Sequence, residues 1–271
     1  MADSAVLGRH GLRTVAMAYV TILVLVPVVV LVYRAVQPGI GAFFDTLSDP
    51  YVQHAFRVTA IVAGISVVID TLFGVAVAIL LARYRFPGRR LLGALIDLPV
   101  AVSPIVVGLA LVLVYSPTGW FGPFEESHGI AIISAKPGMV LATVFVSLPL
   151  VARAVLPVLE QGGTDQDQAA ASLGANAFTR FRRITLPTIR VALAYGVVLA
   201  LARCIGEYGA VLVISGNISG QTQTAPLLIG DDFQTFQRDQ GYAIALVLVL
   251  IALVAIVAGA YIRRSQRRGS S

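Results

Sequence analysis

The chain has 271 residues, 57% of them hydrophobic and only 13% charged, with a formal net charge of +6. Water-soluble domains carry about 25% charged residues, so this composition excludes one. Apolar runs reach the length of about 20 residues that a helix needs to cross roughly 30 Å of hydrocarbon. A β-barrel would instead show strands of about 10 residues with alternating polarity, and none are visible. The reading is an all-α polytopic membrane protein.

Six transmembrane helices are predicted: Val15–Val36, Val58–Ala82, Leu91–Tyr115, Gly138–Leu159, Ile189–Ser215 and Gly241–Ile262. The first follows a polar, basic N-terminus at 1–14. It is too long for a signal-peptide core and lacks a small-residue cleavage site, so it is read as a true helix. The second contains Asp70. The third contains Asp97, Pro99, Ser103 and Pro104. Each proline removes a helix hydrogen bond, which predicts a kink or break. Such a break can line a cavity or simply aid packing, and the residues alone leave both open.

In the fifth span, Arg203 and Glu207 are four residues apart, which places them on one helix face. A lone charge at the bilayer centre costs at least about 2.5–3.5 kcal/mol, so the two are expected to pair, either at a gate or as a buried structural bridge. Gly206 and Gly209 would let another backbone approach closely. Counting Asp70, Asp97 and Glu207 against Arg203 gives three intramembrane acids to one base. That set suits a divalent anion poorly, and no strong anion site is expected. Between the fifth and sixth spans, Gln221–Gly230 (QTQTAPLLIG) is expected to dip back toward the pathway.

Arginines set the orientation, because basic loops stay on the cytoplasmic side. Arg9 and Arg13 precede the first span. Arg83, Arg85, Arg89 and Arg90 follow the second, Arg180, Arg182 and Arg183 follow the fourth, and Arg263, Arg264, Arg267 and Arg268 end the chain. The opposite side has Arg34, Arg57, Lys136 and Arg238, diluted by acids. Both termini, including the basic tail at 263–271, are therefore expected in the cytoplasm. The positive charge follows from topology and implies no nucleic-acid partner, which would need base-reading groups on the basic face.

Other chemistries find little support. Cys204 is the sole cysteine, so no intramolecular disulfide is expected. His10, His54 and His128 fall in different loops and make no metal set. Lys136 is the only lysine and lies outside any G-x-x-x-x-G-K-[ST] loop. Neither G-x-S-x-G nor H-E-x-x-H appears. A non-catalytic subunit is expected, whose energy comes from a partner or an ion gradient.

The segment between the fourth and fifth spans has its own grammar. Thr164 and Asp167 read as a capping box, and Asp165 and Asp167 complement the helix dipole. Gln168, Ala169 and Ala170 continue the helix, and Gly174 turns the chain. After Asn176 a second short helix carries Phe178, Phe181 and Ile184 at helical spacing, flanked by Arg180, Arg182 and Arg183. Leu186 and Pro187 follow, with a bend expected at Pro187. The result is a hairpin with an aromatic tip. It suits a docking surface and equally an amphipathic segment on lipid headgroups.

The pattern Gln168-Ala169-Ala170, three residues, Gly174, nine residues, Ile184-x-Leu186-Pro187 resembles the EAA motif of ABC-importer permeases, E-A-A-x3-G-x9-I-x-L-P. Gln168 departs from the usual Glu. Asp97–Gly108 (DLPVAVSPIVVG), Arg203–Val211 (RCIGEYGAV) and Gly163–Gln166 (GTDQ) resemble the CysW-type permeases of sulfate/thiosulfate importers. CysT-type sisters carry a Pro-Thr-Ala-Val-Ala-Gly variant at the first of these. The similarity runs over nearly the whole chain, best from about Val58 onward.

This resemblance implies a type I ABC importer (MetI-like) permease fold over 15–262, with its core at about 58–262 and a coupling hairpin at 164–187. It implies that Gln168, Ala169, Ala170, Gly174, Phe178, Phe181, Arg182, Ile184, Leu186 and Pro187 contact an ATPase. It places Asp97, Pro99, Ser103, Pro104, Arg203, Gly206, Glu207 and Tyr208 at the translocation path or gate. Implied partners are a CysT-type permease, two CysA-type ATPases that bind ATP and Mg, an extracytoplasmic sulfate-binding protein and membrane lipid. This chain would hold no cofactor itself. The alternatives are a molybdate/tungstate permease of the same kind and an ion-coupled secondary transporter relaying charge through Asp70, Asp97 and Glu207.

Overall fold

A computed structural model describes residues 2–268, with side chains from 13 to 262. The side chains of Arg9, Arg263, Arg264, Arg267 and Arg268, and residues 269–271 of the expected basic tail, lie outside the described ones. Among the described residues the chain is helical throughout, without strands. In hydrocarbon every backbone N–H and C=O must find its partner within the protein, and a helix supplies them locally.

In chain order, α1 (Ala2–Val36), α2 (Ile40–Ser48) and α3 (Pro50–Arg83) come first. Asp49 starts α3: its Oδ1 accepts from the N–H groups of Tyr51 (2.7 Å) and Val52 (3.3 Å), with Pro50 at the first helical position. α4 (Arg89–Ala101) and α5 (Pro104–Tyr115) follow, bent by 111° about Val102 and Ser103. The third expected span is therefore a broken helix. Pro104 has no N–H to continue α4, and Ser103 is extended, as a residue before proline must be. α6 (Gly122–His128) leads to α7 (Lys136–Gln161), then to the short α8 (Asp165–Ser172) and α9 (Ala177–Arg180). α10 (Leu186–Ile205), α11 (Gly209–Ile214), α12 (Ala225–Gln234) and α13 (Arg238–Arg268) complete the fold.

The first, second, fourth and sixth expected spans lie within α1, α3, α7 and α13. The fifth requires correction: α10 stops at Ile205, and the chain resumes as α11 only at Gly209. At its other end the expected bend at Pro187 does not interrupt the helix. Ala177–Ile205 is one continuous helix, accommodated by a π-turn over Phe181–Thr185. That wider turn gives room for the Pro187 ring, which an α-turn would press against the preceding carbonyls.

Three helices form the centre. α7 runs along α3, and α10 packs against both. Val151 on α7 is fully buried between two glycines. A methyl group at Gly74 of α3 would lie 2.8 Å from Val151 Cβ, and one at Gly196 of α10 would lie 2.9 Å from Ala154 Cβ. Small residues thus bring these backbones together, as membrane helix contacts require where no hydrophobic effect drives association. α1 lies outside this core against α13, and its apolar stretch is unburied within the chain.

The Gln221–Gly230 segment does fold back into the protein. Thr222, Gln223, Thr224 and Ala225 are buried, the Ala225 N–H donates to Thr59 Oγ1 of α3 (2.8 Å), and Leu227 joins the core. Asp231 accepts from Asn217 Nδ2 (2.9 Å) and Gln223 Nε2 (2.5 Å), which closes the loop on itself. Burial, with Asp231 next to it, pushes Asp232 up to about 6.

Gly74→Val overfills the α3–α7 contact, a change that costs about 1–3 kcal/mol. It should lower the melting temperature of the detergent-purified chain. Gly64→Ala, with open space around it, should leave that temperature unchanged.

Candidate functional site

Two local structures gather nearly all the residues singled out above. The first is the hairpin between α7 and α10. α8 begins after Thr164, but the expected capping box does not form, because Thr164 makes no side-chain cap. Instead Gln168 Nε2 donates back to Thr164 Oγ1 (3.0 Å). Asp167 turns away from the α8 backbone to the end of α3, where Arg83 Nη1 donates to its Oδ2 at 2.8 Å. Arg180 Nη1 lies 3.9 Å from the same oxygen. The side chains of Arg83 and Asp167 are each only 15% exposed, so solvent screens this pair far less than a surface bridge.

Gly174 ends α8 with φ +81°, a left-handed conformation that side chains resist. Gly174 N–H donates to the Ala171 carbonyl and Ala175 N–H to that of Ala170, both at 3.0 Å, satisfying carbonyls that a helix end leaves free. Asn176 then caps α9, its Oδ1 accepting from the Thr179 N–H at 2.8 Å.

The expected aromatic tip is corrected in composition. Phe178 is exposed and shares the tip with Leu173, which is 88% exposed. Phe181 instead packs inward on the cluster of α3, α7 and α10. Gln168, Ala169, Arg182 and Pro187 are exposed, and Ala170, Ile184 and Leu186 are half-buried. A cavity of about 320 Å³ between the hairpin and the end of α3 is lined by Arg83, Tyr84, Asp167, Gln168 and Arg180.

The second structure is a pair of helix breaks that meet. A methyl group at Gly209, the first residue of α11, would lie 3.1 Å from Pro104 Cβ, at the start of α5. One at Gly108 would lie 2.7 Å from the Ala210 carbonyl oxygen. Ser103, Pro104, Gly206, Glu207 and Tyr208 are thereby brought to one place. Arg203 and Glu207 pair as expected, at 2.6 Å from Nη1 to Oε2. They do not share a helix face, however, because α10 ends between them. The reason is a competing bond: Glu207 Oε1 accepts from the Ala210 N–H at 2.9 Å, and so caps α11. Glu207 is 2% exposed and Arg203 37%, so the bridge runs from the interior to an open surface. Tyr208 leans on α12, where a methyl group at Gly230 would meet its ring at 3.0 Å.

Asp97 and Pro99 stand apart from this meeting point. Arg153 Nε of α7 donates to Asp97 Oδ1 at 2.7 Å. This overturns the count of three acids against one base, because Arg153 lies in the fourth span and neutralises Asp97. Its signal was present in the sequence as a base without a partner within an apolar run. Arg83 and Asp167 were also missed as a pair, for they are separated by 84 positions. Among the described residues no group of three His, Cys, Asp or Glu side chains could hold a metal ion.

The chain has relatives along nearly its full length. Residues 70–268 match the family described as binding-protein-dependent transport system inner membrane component. The chain is 45% identical over 256 residues to the sulfate transport system permease protein CysW of Synechococcus elongatus, covering 94% of this chain and 90% of that one. It is 36% identical over 241 residues to the CysT permease protein of Salmonella typhimurium, covering 89% and 87%. A crystal structure of a bacterial alginate ABC transporter superposes with a TM-score of 0.75 at 18% identity, over 96% of this chain and 93% of that one. At that identity the likeness concerns the fold, which is that of type I ABC importer permeases. The chain is a multi-pass membrane transport component and belongs to the family of binding-protein-dependent transport system inner membrane components.

Proposed function

We propose that this chain is the CysW-like permease subunit of an ATP-driven importer of sulfate or thiosulfate. It would pair with a CysT-like permease above two ATPase subunits, with an extracytoplasmic receptor delivering the anion. ATP and Mg would be bound by the ATPases, and this chain would carry out no bond chemistry. Its termini and the hairpin at 164–187 would face the cytoplasm, in keeping with the distribution of arginines. The relatives named CysW support the cargo. The observation that carries the mechanism is the hairpin, exposed at Leu173, Phe178 and Arg182 yet tied into the helix core through Asp167.

That geometry suggests how force would travel. An ATPase gripping the tip moves two things at once. Through Asp167 and Arg83 it pulls the end of α3. Through the continuous helix Ala177–Ile205, 29 residues or about 43 Å at 1.5 Å per residue, it moves the far end at Gly206. There the lever meets the α11 start and Pro104 of α5, so hairpin motion would shift one helix break against the other. Such rigid-body rocking is the usual way a small displacement at one site opens another. Opening the pathway would then involve Arg203, Glu207, Ser103 and Tyr208, which lie at that junction, with Asp97 and Pro99 on the neighbouring α4.

The decisive assay is ATP hydrolysis and uptake by the reconstituted four-component transporter. Receptors loaded with sulfate or thiosulfate should stimulate both, and a molybdate receptor should stimulate neither. Stimulation by the molybdate receptor alone would reassign the cargo, and uptake driven by an ion gradient without any ATPase would reassign the class.

Gly174→Asp places a side chain where φ is positive, at about 1–2 kcal/mol, and a charge on the docking face. ATP-coupled uptake should be abolished, with membrane insertion unchanged by protease protection. For the link to α3, Asp167→Arg should lower uptake at least about tenfold while leaving ATP hydrolysis in place, since it sets a third cation beside Arg83 and Arg180 and so unties the hairpin from α3. The double exchange Asp167→Arg with Arg83→Asp should recover most of that loss. If the double variant is no better than the single one, the link is not the conduit.

A further inference from the structure

Asp70 sits midway along α3 and is completely buried. Its surroundings come from all three central helices. Asp70 Oδ2 lies 2.5 Å from Ser147 Oγ of α7. Ser147 Oγ also lies 2.6 Å from the carbonyl oxygen of Thr143, one turn earlier on α7. Cys204 Sγ of α10 lies 3.3 Å from the same hydroxyl. Asp70 Oδ1 has no hydrogen-bond partner, and among the described residues no cation lies within ion-pair distance of either oxygen.

The protons around Ser147 can be counted. A hydroxyl has one proton and two lone pairs, and a carbonyl oxygen can only accept. The 2.6 Å contact with the Thr143 carbonyl therefore takes the Ser147 proton. Cys204 Sγ–H donates to one lone pair of Ser147. The remaining lone pair faces Asp70 Oδ2, and a hydrogen bond there needs a proton supplied by Asp70. An ionised Asp70 would bring two acceptors together with nothing between them. It would also bury a carboxylate without a cation and with Oδ1 bare, which costs far more than burying the neutral acid.

We infer that Asp70 is a neutral carboxylic acid acting as a hydrogen-bond donor, a positioning residue that pins α3 to α7 and α10 through Ser147. Its role is thus the reverse of an ion relay. The donor fixes the register of α3 against α7 at the point where Gly74, one turn further along, lies against Val151. Arg203, next to Cys204 on α10, is paired with Glu207, so it is not free to neutralise Asp70. This contact belongs to the helix core alone and is independent of the cargo and of ATP coupling.

The test is isotope-edited infrared spectroscopy on the full chain in lipid nanodiscs, with aspartate carboxyls labelled by carbon-13. At neutral pH the exposed aspartates are ionised, and a labelled carboxylic-acid C=O band should remain. Asp70→Asn should remove that band and keep the melting temperature close to the parent's, because the amide N–H replaces the donor. Ser147→Ala should shift the band to higher frequency, since the acid loses its acceptor. Absence of an acid band beyond the small fraction from Asp232 in the parent at neutral pH, or an undiminished band in Asp70→Asn, would overturn the inference. A band that Ser147→Ala leaves unmoved would overturn the assigned partner. The parent measurement needs no variant to fold.

Discussion

Everything in this chain depends on one constraint: inside hydrocarbon a backbone N–H or C=O has no water to turn to. A helix meets that demand by itself, so α1, α3, α7 and α13 run unbroken. Where the chain departs from a helix, something in the protein must take over the released groups. Three of the described departures show such a replacement. The start of α11 is capped by Glu207, the Ala225 N–H is received by Thr59, and Gly174 and Ala175 close the end of α8. At these three points the irregular backbone is met by a side chain or a turn.

The same constraint explains how charges are deployed. Glu207 serves Arg203 with one oxygen and the α11 backbone with the other, so a single buried acid satisfies two needs at the junction of the breaks. Asp97 and Arg153 neutralise each other across α4 and α7, and Asp167 does the same for Arg83 at the hairpin base. In each case a helix that moves must carry its counter-charge or leave it behind. For Arg83 and Asp167, each 15% exposed, parting the pair exposes the desolvation cost of both ions, which makes that contact a natural point at which motion is either transmitted or resisted.

Much of this was legible beforehand. The spans followed from hydrophobic length, and the break at Pro104 followed from proline's missing N–H. The hairpin turn followed from Gly174, whose φ of +81° few other residues adopt. Three local readings failed for one shared reason. Asp167 was expected to cap its own helix, Arg203 and Glu207 to share one face, and Pro187 to bend the chain. Each was judged from its near neighbours, and each was decided by a competitor: Arg83 for Asp167, the Ala210 N–H for Glu207, and the π-turn at Phe181–Thr185 for Pro187. Arg153 was overlooked because its partner lies 56 positions away.

The division between sequence and tertiary structure follows from the range of the forces. Span number, the polar hairpin, its turn and the weak points of the third span are set by residues within a few turns of one another, through hydrogen-bond geometry and hydrophobic length. Which break faces which, which arginine answers which acid, and whether a buried aspartate carries a proton depend on atoms brought together from distant positions. Asp70 and Cys204 lie 134 positions apart, and they meet at Ser147 because glycines let three helices pack closely. Close packing removes water, and without water the proton on Asp70 becomes a property of the fold rather than of the residue.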